Sequence, residues 1–290
     1  LGDHMEHRPV LTDRERTEYL QYGLGLRIVQ TTDDVKPYNS GTYVTPPRDR
    51  ALFAAIAQRE KGRPALISSK RAIEQYDEAD ALDDGWQTDH YHNIKGMNDF
   101  EDVRLGVVAG SPDPSSDTVQ LWGAVAGESI ESNGRKGWDR TYGKFGDELV
   151  RGLRENEVLQ AIMRFGRSER DGERGATVYV DTGALPDWAP VSRQFAEVHL
   201  WSNGEKDGME QVLDVIGSSS EWRSSEITKH SELDISETQA RNHLHTLARF
   251  GYIEKDDLGP GLGYHWSNIC VEDALPYGHV AFETDPERGA

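Results

Sequence analysis

The sequence predicts an α/β protein in which a domain with a parallel β-sheet is followed by a smaller module of helices and a β-hairpin. Between residues 49 and 182, short apolar runs alternate with amphipathic helical segments, which is the pattern of β-α-β units. After residue 208, helical segments precede two strand-like runs that flank a Gly/Pro-rich turn. A chain of 290 residues with 36% hydrophobic residues is large enough for two modest domains with real cores.

Residues 6–48 are predicted to be an N-terminal segment and connector. Thr12 is positioned to cap a short helix, with Glu15 as its reciprocal partner at the third helical position. Leu26–Gln30 is a predicted strand. The turn-rich stretch 37–47 then leads to the next domain.

Residues 49–195 are predicted to form the parallel-sheet domain. Its apolar runs are short and bounded by turn residues, as in strands buried on both faces, and the segments around them have helical periodicity. Asp117 is expected to cap one of the helices. The predicted strands are 64–68, 103–109 and 176–180, and the predicted helices are 49–59, 69–76, 118–126 and 147–165.

The C-terminal part is divided into a linker at 196–209, a compact module at 210–268 and a peripheral tail at 269–290. The module begins with a helix over Met209–Ile216, and Ser224 or Ser225 is expected to cap the second helix. The third helix is predicted to be capped by Ser236 and ended by Gly251, and strands 252–255 and 263–266 follow it. The residues spaced to pack these elements together are Ile227, Leu233, Ile235, Ala240, Leu244, Leu247 and Ile253.

This succession resembles the winged helix-turn-helix of prokaryotic regulators, above all in Arg241–Leu244 followed by Leu247 and Gly251–Ile253. The resemblance implies that the third helix enters a DNA major groove and that the hairpin is the wing. The candidate DNA contacts are Thr238, Gln239, Arg241, Asn242 and His245 on the helix, and Lys255 and His265 on the wing. Residues 210–268 hold five Lys/Arg and ten Asp/Glu, so a module that docks or dimerises without touching DNA stays open.

Three stretches of residues 49–182 resemble the second RecA-like domain of superfamily 2 helicases, especially of helicase-like proteins from haloarchaeal plasmids and viruses. Ala65–Lys70 resembles the strand-turn motif that touches nucleic-acid backbone, which implies contacts by Ser68 and Ser69. Lys95–Phe100 resembles the motif that couples nucleic acid to nucleotide. Gln160–Arg167 resembles the motif whose arginines reach ATP phosphates. The residues implied by these last two motifs are Lys95, Gly96 and Asn98, and Gln160, Arg164 and Arg167.

The chemistry of phosphoryl transfer supports the Gln160–Arg167 match, because positive charge at the γ-phosphate accelerates the reaction. Gln160, Arg164 and Arg167 have the spacing i, i+4 and i+7, so on a continuous helix they share one face. Gly96 would let the backbone approach a phosphate closely. The alternative is that both arginines form ordinary surface ion pairs, and that Lys95–Gly96 and Ser68–Ser69 only end local elements.

The sequence contains no G-x-x-x-x-G-K-[ST] motif to hold a triphosphate. It also has no D-E-x-[DH]-type metal motif on a predicted strand, for which Asp113 and Asp181–Thr182 are no substitute. We therefore expect no cofactor in this chain alone and no ATPase activity from it. ATP and Mg²⁺ would be needed only with an ATP-binding domain that lies upstream or acts in trans. Leu1–Met5 resembles a cloning scar, so a natural chain that extends further N-terminally and one that starts at Met5 both stay open.

The charge distribution is typical of a halophile. The formal net charge is -19, and the acidic residues are spread through the chain. In concentrated salt such a surface keeps a protein soluble, which predicts a high-salt cytoplasm. There is no apolar run of about 20 residues to span a membrane and no signal peptide. Cys270 is the one cysteine, which excludes an internal disulfide and a cysteine-rich zinc site.

Three functional hypotheses follow. The first is the C-terminal half of a helicase-like ATPase from a mobile element, with duplex or forked DNA as its partner. The second is a transcription or replication regulator without ATPase activity. The third is a homodimer assembled through the winged helix. An ordinary acidic protein that avoids nucleic acid also stays open. DNA sequence preference, DNA versus RNA, unwinding polarity and oligomeric state are undetermined by the sequence.

Overall fold

The protein is represented by a computed structural model that describes residues 10–82, 85–94, 96, 98–135, 139–169, 174–201, 208–259 and 263–284. The chain forms two compact units. The first comprises residues 1–44, 62–195 and 282–290, and the second comprises 45–61 and 196–281. Within the described ranges, no helix combines the length and apolar character needed to cross a membrane.

The strands are β1 (Leu26–Gln30), β2 (Ala65–Ser68), β3 (Thr88–His90), β4 (Leu105–Ala109), β5 (Ala176–Asp181), β6 (Val191–Leu200), β7 (Glu221–Arg223), β8 (Ile253–Asp257), β9 (Tyr264–Asn268) and β10 (Gly278–Thr284). The α-helices are α1 (Asp13–Glu18), α2 (Pro46–Arg59), α3 (Lys70–Glu78), α4 (Ser116–Ala126), α5 (Gly143–Ile162), α6 (Met209–Gly217), α7 (Ser224–Thr228) and α8 (Glu237–Arg249). A π-helical turn follows α1 at Tyr19–Gly23, and a 3-10 turn lies at Val271–Asp273.

The predicted parallel sheet is confirmed. Seven strands form one sheet in the order β10-β6-β1-β5-β4-β2-β3. The pairs β1 with β5 and β6, β2 with β3 and β4, and β4 with β5 are parallel. Strands β2, β4 and β5 are almost wholly buried, as expected for apolar strands covered on both faces.

Strand β1 has the predicted bounds, and the capping box of Thr12 and Glu15 is also confirmed. The segment 6–48 is more than a connector, however, because β1 lies inside the sheet between β5 and β6. Residues 196–200, predicted as linker, form the second half of β6. Residues 278–284 of the predicted tail form the edge strand β10. Strands β6 and β10 are only partly buried, and their sequences lack the apolar run that predicted the central strands.

Several helix boundaries differ from the predictions. Ser115 rather than Asp117 caps α4, by accepting a hydrogen bond from the amide of Thr118. Helix α7 begins at Ser224 itself, whose hydroxyl bonds to the hairpin strand β9 instead of capping.

Helix α2, predicted as part of the sheet domain, belongs to the second unit. There Arg50 stacks on the ring of Tyr277 at 3.9 Å.

The rest of the second unit contains helices α6, α7 and α8 and an antiparallel sheet in the order β7-β9-β8. Ser236 caps α8 as predicted, and Gly251 follows its C-cap with a φ of 79°. The hairpin β8–β9 is also confirmed. A single core joins these elements, and its most buried members are Met209, Val212, Val215, Ile216, Ile227, Leu244, Leu247, Ile253 and Trp266.

Candidate functional site

Arg164 and Arg167 lie in a turn, Met163–Ser168, which we call the arginine turn. The prediction of one helix through Phe165 is wrong, because α5 ends at Ile162. The amides of Arg164 and Phe165 bond to carbonyls three residues earlier, which tightens the chain out of the α-helix. The arginines are therefore placed by a turn with Gly166 at φ +64°, and not by a shared helix face.

The arginine turn is anchored at the amino-terminal ends of β4 and β5. Arg104, which precedes β4, donates to the carbonyl oxygens of Gly166, Ser168 and Gly175 at 3.1, 2.8 and 2.9 Å. Phe165 is 1% exposed. Its ring lies edge-on to a second aromatic ring, with the centroids 5.4 Å apart. The turn is thus held rigidly at the amino edge of the sheet.

Two stretches that are far apart in the sequence meet at this edge. The Nη2 atom of Arg167 donates to Oδ1 of Asn98 at 3.0 Å, across 69 residues of sequence. Gly96 has a φ of 84°, and apart from its chain neighbours no atom of the described residues lies within 4 Å of where its Cβ would be. Its backbone is therefore open to approach. Gln160 lies half-buried in the last turn of α5, and Lys95 lies outside the described residues.

The electrostatics of the arginine turn favour an anion. Desolvation lowers the pKa of the Arg164 guanidinium, and the nearby positive charge of Arg167 lowers it further. The Nε atom of Arg164 is buried without a hydrogen-bond partner among the described residues. A phosphate would compensate both the repulsion and the missing hydrogen bond.

Replacing Arg164 with Gln is expected to raise the melting temperature at low salt. The lowered pKa means that the folded state disfavours the charged form, so removing the charge should stabilise the fold. Interactions between partly exposed charges are worth about 0.2–1 kcal/mol. In a protein of this size, the melting temperature shifts by roughly 2–4 °C for each kcal/mol of stability. Calorimetry at about 0.2 M and 2 M KCl would measure the gain, and the part that comes from repulsion by Arg167 should shrink in concentrated salt.

The exposed Arg63 provides the control for this measurement, and Arg63→Gln should leave the melting temperature nearly unchanged. A fall in the melting temperature of Arg164→Gln would instead identify Arg164 as a packing residue.

Ser68 and Ser69 lie at the opposite, carboxyl edge of the sheet, at the end of β2. Ser68 is fully buried and its hydroxyl donates to the carbonyl of Ala109 at 2.7 Å. The hydroxyl of Ser69 donates to Tyr38 and caps α3 by accepting from Ala72. Both hydroxyls therefore have structural roles, and the predicted contacts of these residues with nucleic acid stay predictions.

The carboxyl edge also contains a buried ion pair that was not foreseen. Lys36 Nζ lies 2.7 Å from Oδ2 of Asp181, with side-chain exposures of 14% and 1%. Thr31 donates to the other carboxylate oxygen of Asp181 at 2.8 Å. The residues of the pair are 145 positions apart in the sequence, so no local pattern could have identified them.

In the second unit, α8 and the hairpin β8–β9 bring together the side chains of Arg241, His245 and Lys255. Arg241 is exposed, and so is Asn242 beside it. Lys255 Nζ lies 3.7 Å above the ring of Tyr264, and His245 also contacts that ring. Burial lowers the pKa of the His245 imidazole most, and the positive charges of Lys255 and Arg241 lower it further.

The other predicted DNA-contacting residues differ in how far their side chains are free to bind a ligand. Thr238 is exposed. Gln239 uses its amide oxygen to accept hydrogen bonds from the N and Oγ atoms of Ser236, which leaves only its amide donors for DNA. His265 lies 3.7 Å from the carboxylate of Glu221 and is partly exposed.

Among the described residues, no group of three or more His, Cys, Asp or Glu side chains is arranged to hold a metal ion. No protein family, curated protein or solved structure matches this chain. Its function is therefore inferred from its own residues.

Proposed function

We propose that this chain is the nucleic-acid-binding portion of a helicase-like ATPase, composed of a second RecA-like domain and a DNA-binding winged helix-turn-helix. The observation that carries the proposal is the contact of Arg167 with Asn98 beside Arg164. These residues come from two stretches that separately resemble helicase motifs. The mostly parallel sheet is consistent with a RecA-like core.

In this proposal the arginine turn acts on ATP that a different domain holds. The sequence has no Gly-rich phosphate loop, so the triphosphate must be bound upstream or in trans. Arg164 and Arg167 would then place positive charge beside the transferred γ-phosphate, where such a guanidinium contributes about 10³–10⁵ in rate. Asn98 orients Arg167 and links the turn to the stretch that resembles the nucleic-acid coupling motif.

The order of elements in the second unit supports a winged helix. Helices α6, α7 and α8 precede the hairpin β8–β9, and β7 completes its sheet. In such a domain α8 is the recognition helix, and its N-terminal residues meet base edges in the major groove. Arg241 and Asn242 are the proposed base contacts, and Lys255 is the proposed phosphate contact on the wing.

Arg241→Ala is expected to weaken DNA binding about 5- to 150-fold, because a good side-chain-to-base pair discriminates by roughly 1–3 kcal/mol. Arg249→Ala is the matched control, since Arg249 is exposed on the same helix but lies at its C-terminal end. Fluorescence anisotropy with duplex, forked and single-stranded probes, in KCl from about 0.2 to 2 M, measures both effects.

Tighter binding to forks or single strands than to duplex would support the helicase-like function. Sequence-specific binding to duplex alone would favour a regulator. Equal losses from Arg241→Ala and Arg249→Ala would contradict the proposed orientation of α8. If the folded protein bound no probe at any salt concentration, the second unit would be a docking or dimerisation module, as its excess of acidic residues also suggests.

A further inference from the structure

The connections of β1 and β5 place a crevice at the carboxyl edge of the sheet. The two strands are parallel neighbours, but the chain leaves them in opposite directions. From β1 it continues to β2, on the far side of β5 and β4, whereas from β5 it continues to β6, on the other side of β1. In open α/β sheets, ligands bind outside the carboxyl ends of the strands at such a switch point.

The loops that follow β1 and β5 are joined by direct hydrogen bonds. The amide of Gly183 donates to Asp34 O at 2.7 Å, and Thr182 Oγ1 donates to Val35 O at 2.5 Å. A Cβ on Gly183 would lie 1.9 Å from the carbonyl oxygen of Asp33, so glycine permits this approach. The base of the crevice is therefore formed before any ligand arrives, which lowers the cost of binding.

A cavity of about 640 Å³ lies over this base, in the size range of small-molecule sites. Gln30 and Gly183 mark the two strand ends in its wall. Six of the lining residues are apolar and together are called the apolar wall, three are arginines, and three are acidic, namely Asp33, Glu155 and Asp187. The apolar residues are Val35, Ala184, Leu185, Pro186, Ala189 and Val191, and the arginines are Arg151, Arg154 and Arg193.

The arginines differ in how far their charges are already compensated. Arg151 is paired with Glu155 at 2.5 Å and with Asp187 at 3.2 Å. Arg154 bonds to the carboxylate of Asp113, but its Nε atom is buried without a hydrogen-bond partner among the described residues.

Arg193 is the least compensated cation of the wall. It is half-buried, and its Nε lies 3.4 Å from Oε1 of Gln30. In the described part of the chain, no carboxylate lies within ion-pair distance of its guanidinium. A negative group in the cavity would supply the counter-charge.

We propose that this crevice binds a small organic anion, a phosphomonoester or a carboxylate, with its charge on Arg193 and Arg154 and its carbon skeleton against the apolar wall. The chain has no glycine-rich loop to enclose a triphosphate, so the proposed ligand is smaller than a nucleoside triphosphate. The crevice is at the opposite sheet edge from the arginine turn, and the proposal is independent of the helicase-like function.

The test is isothermal titration calorimetry of the full chain with AMP, citrate and inorganic phosphate. We expect AMP or citrate to bind more tightly than inorganic phosphate, and which of the two binds distinguishes a phosphate ester from a carboxylate. Arg193→Gln should weaken that binding about tenfold or more, because a hydrogen bond to a charged group is lost. Arg193→Lys should keep most of the affinity, and Arg63→Gln, outside the cavity, should match the unmodified protein.

Thermal unfolding first establishes that each variant is folded. The proposal is overturned if none of the three probes binds, or if Arg193→Gln binds AMP and citrate as the unmodified protein does. Inorganic phosphate binding as tightly as both organic anions would also overturn it, because the apolar wall would then contribute nothing. None of these results depends on DNA binding, so failure here leaves the helicase-like proposal to its own test.

Discussion

Replacing Lys36 with Met is expected to lower the free energy of unfolding by about 3–5 kcal/mol, the usual cost of removing one partner from a buried ion pair. Asp181 is only 1% exposed, and in the variant it would lose the ammonium group 2.7 Å from its Oδ2 atom. Met preserves most of the apolar stem of Lys36, so the effect isolates the charge. Guanidinium unfolding followed by tryptophan fluorescence would measure it.

Lys61→Met is the matched control for this experiment. Lys61 also has a left-handed backbone, with a φ of 51° against 47° for Lys36, but it is exposed. Both replacements therefore carry similar backbone strain, and only one removes a buried charge. Adding Asp181→Asn to Lys36→Met should recover part of the loss. Equal stabilities of the Lys36→Met and Lys61→Met variants would refute the structural importance of the ion pair.

Gly166→Ala is expected to destabilise the first unit by about 2–5 kcal/mol. A left-handed non-glycine residue costs roughly 1–2 kcal/mol, and overpacking adds roughly 1–3 kcal/mol. The new Cβ would lie 2.3 Å from the carbonyl carbon and oxygen of Gly175, and backbone atoms at the start of β5 cannot move aside as a flexible side chain can.

Gly96→Ala separates the two contributions, because Gly96 has a similar positive φ of 84° and, beyond its chain neighbours, no described residue lies within 4 Å of the added carbon. It should cost only about 1–2 kcal/mol. Chemical denaturation of both variants would measure the difference. A Gly166→Ala loss no larger than that of Gly96→Ala would show that the arginine turn can shift without cost, which would weaken its proposed role as a preorganised phosphate-facing element.

Local signals in the sequence predicted much of the secondary structure. The apolar run Leu26–Gln30 became β1 with the predicted bounds, and the third helix of the C-terminal module begins after Ser236 as its capping residues indicated. Boundaries failed where competing local interactions decided the outcome. Ser115, and not Asp117, caps α4, and α5 ends at Ile162, before Arg164.

The candidate site was only partly predictable for a related reason. The sequence identified Asn98, Arg164 and Arg167 by their resemblance to helicase motifs. It could not tell that Asn98 and Arg167 would meet, nor that Ser68 would be fully buried at the opposite edge of the sheet. Residue type and spacing specify which groups are available, whereas their availability to a ligand depends on the packing around them.

By itself, the sequence determined the alternation of strands and helices, the presence of a parallel sheet and the helix caps, because each depends on residues close together in the chain. The tertiary structure alone decided the strand order, the position of β1 inside the sheet and the pairing of Lys36 with Asp181. The physical reason is that a parallel sheet joins distant segments through backbone hydrogen bonds, which carry no residue-specific signal. That order decides which loops share an edge, and so which side chains can form a site.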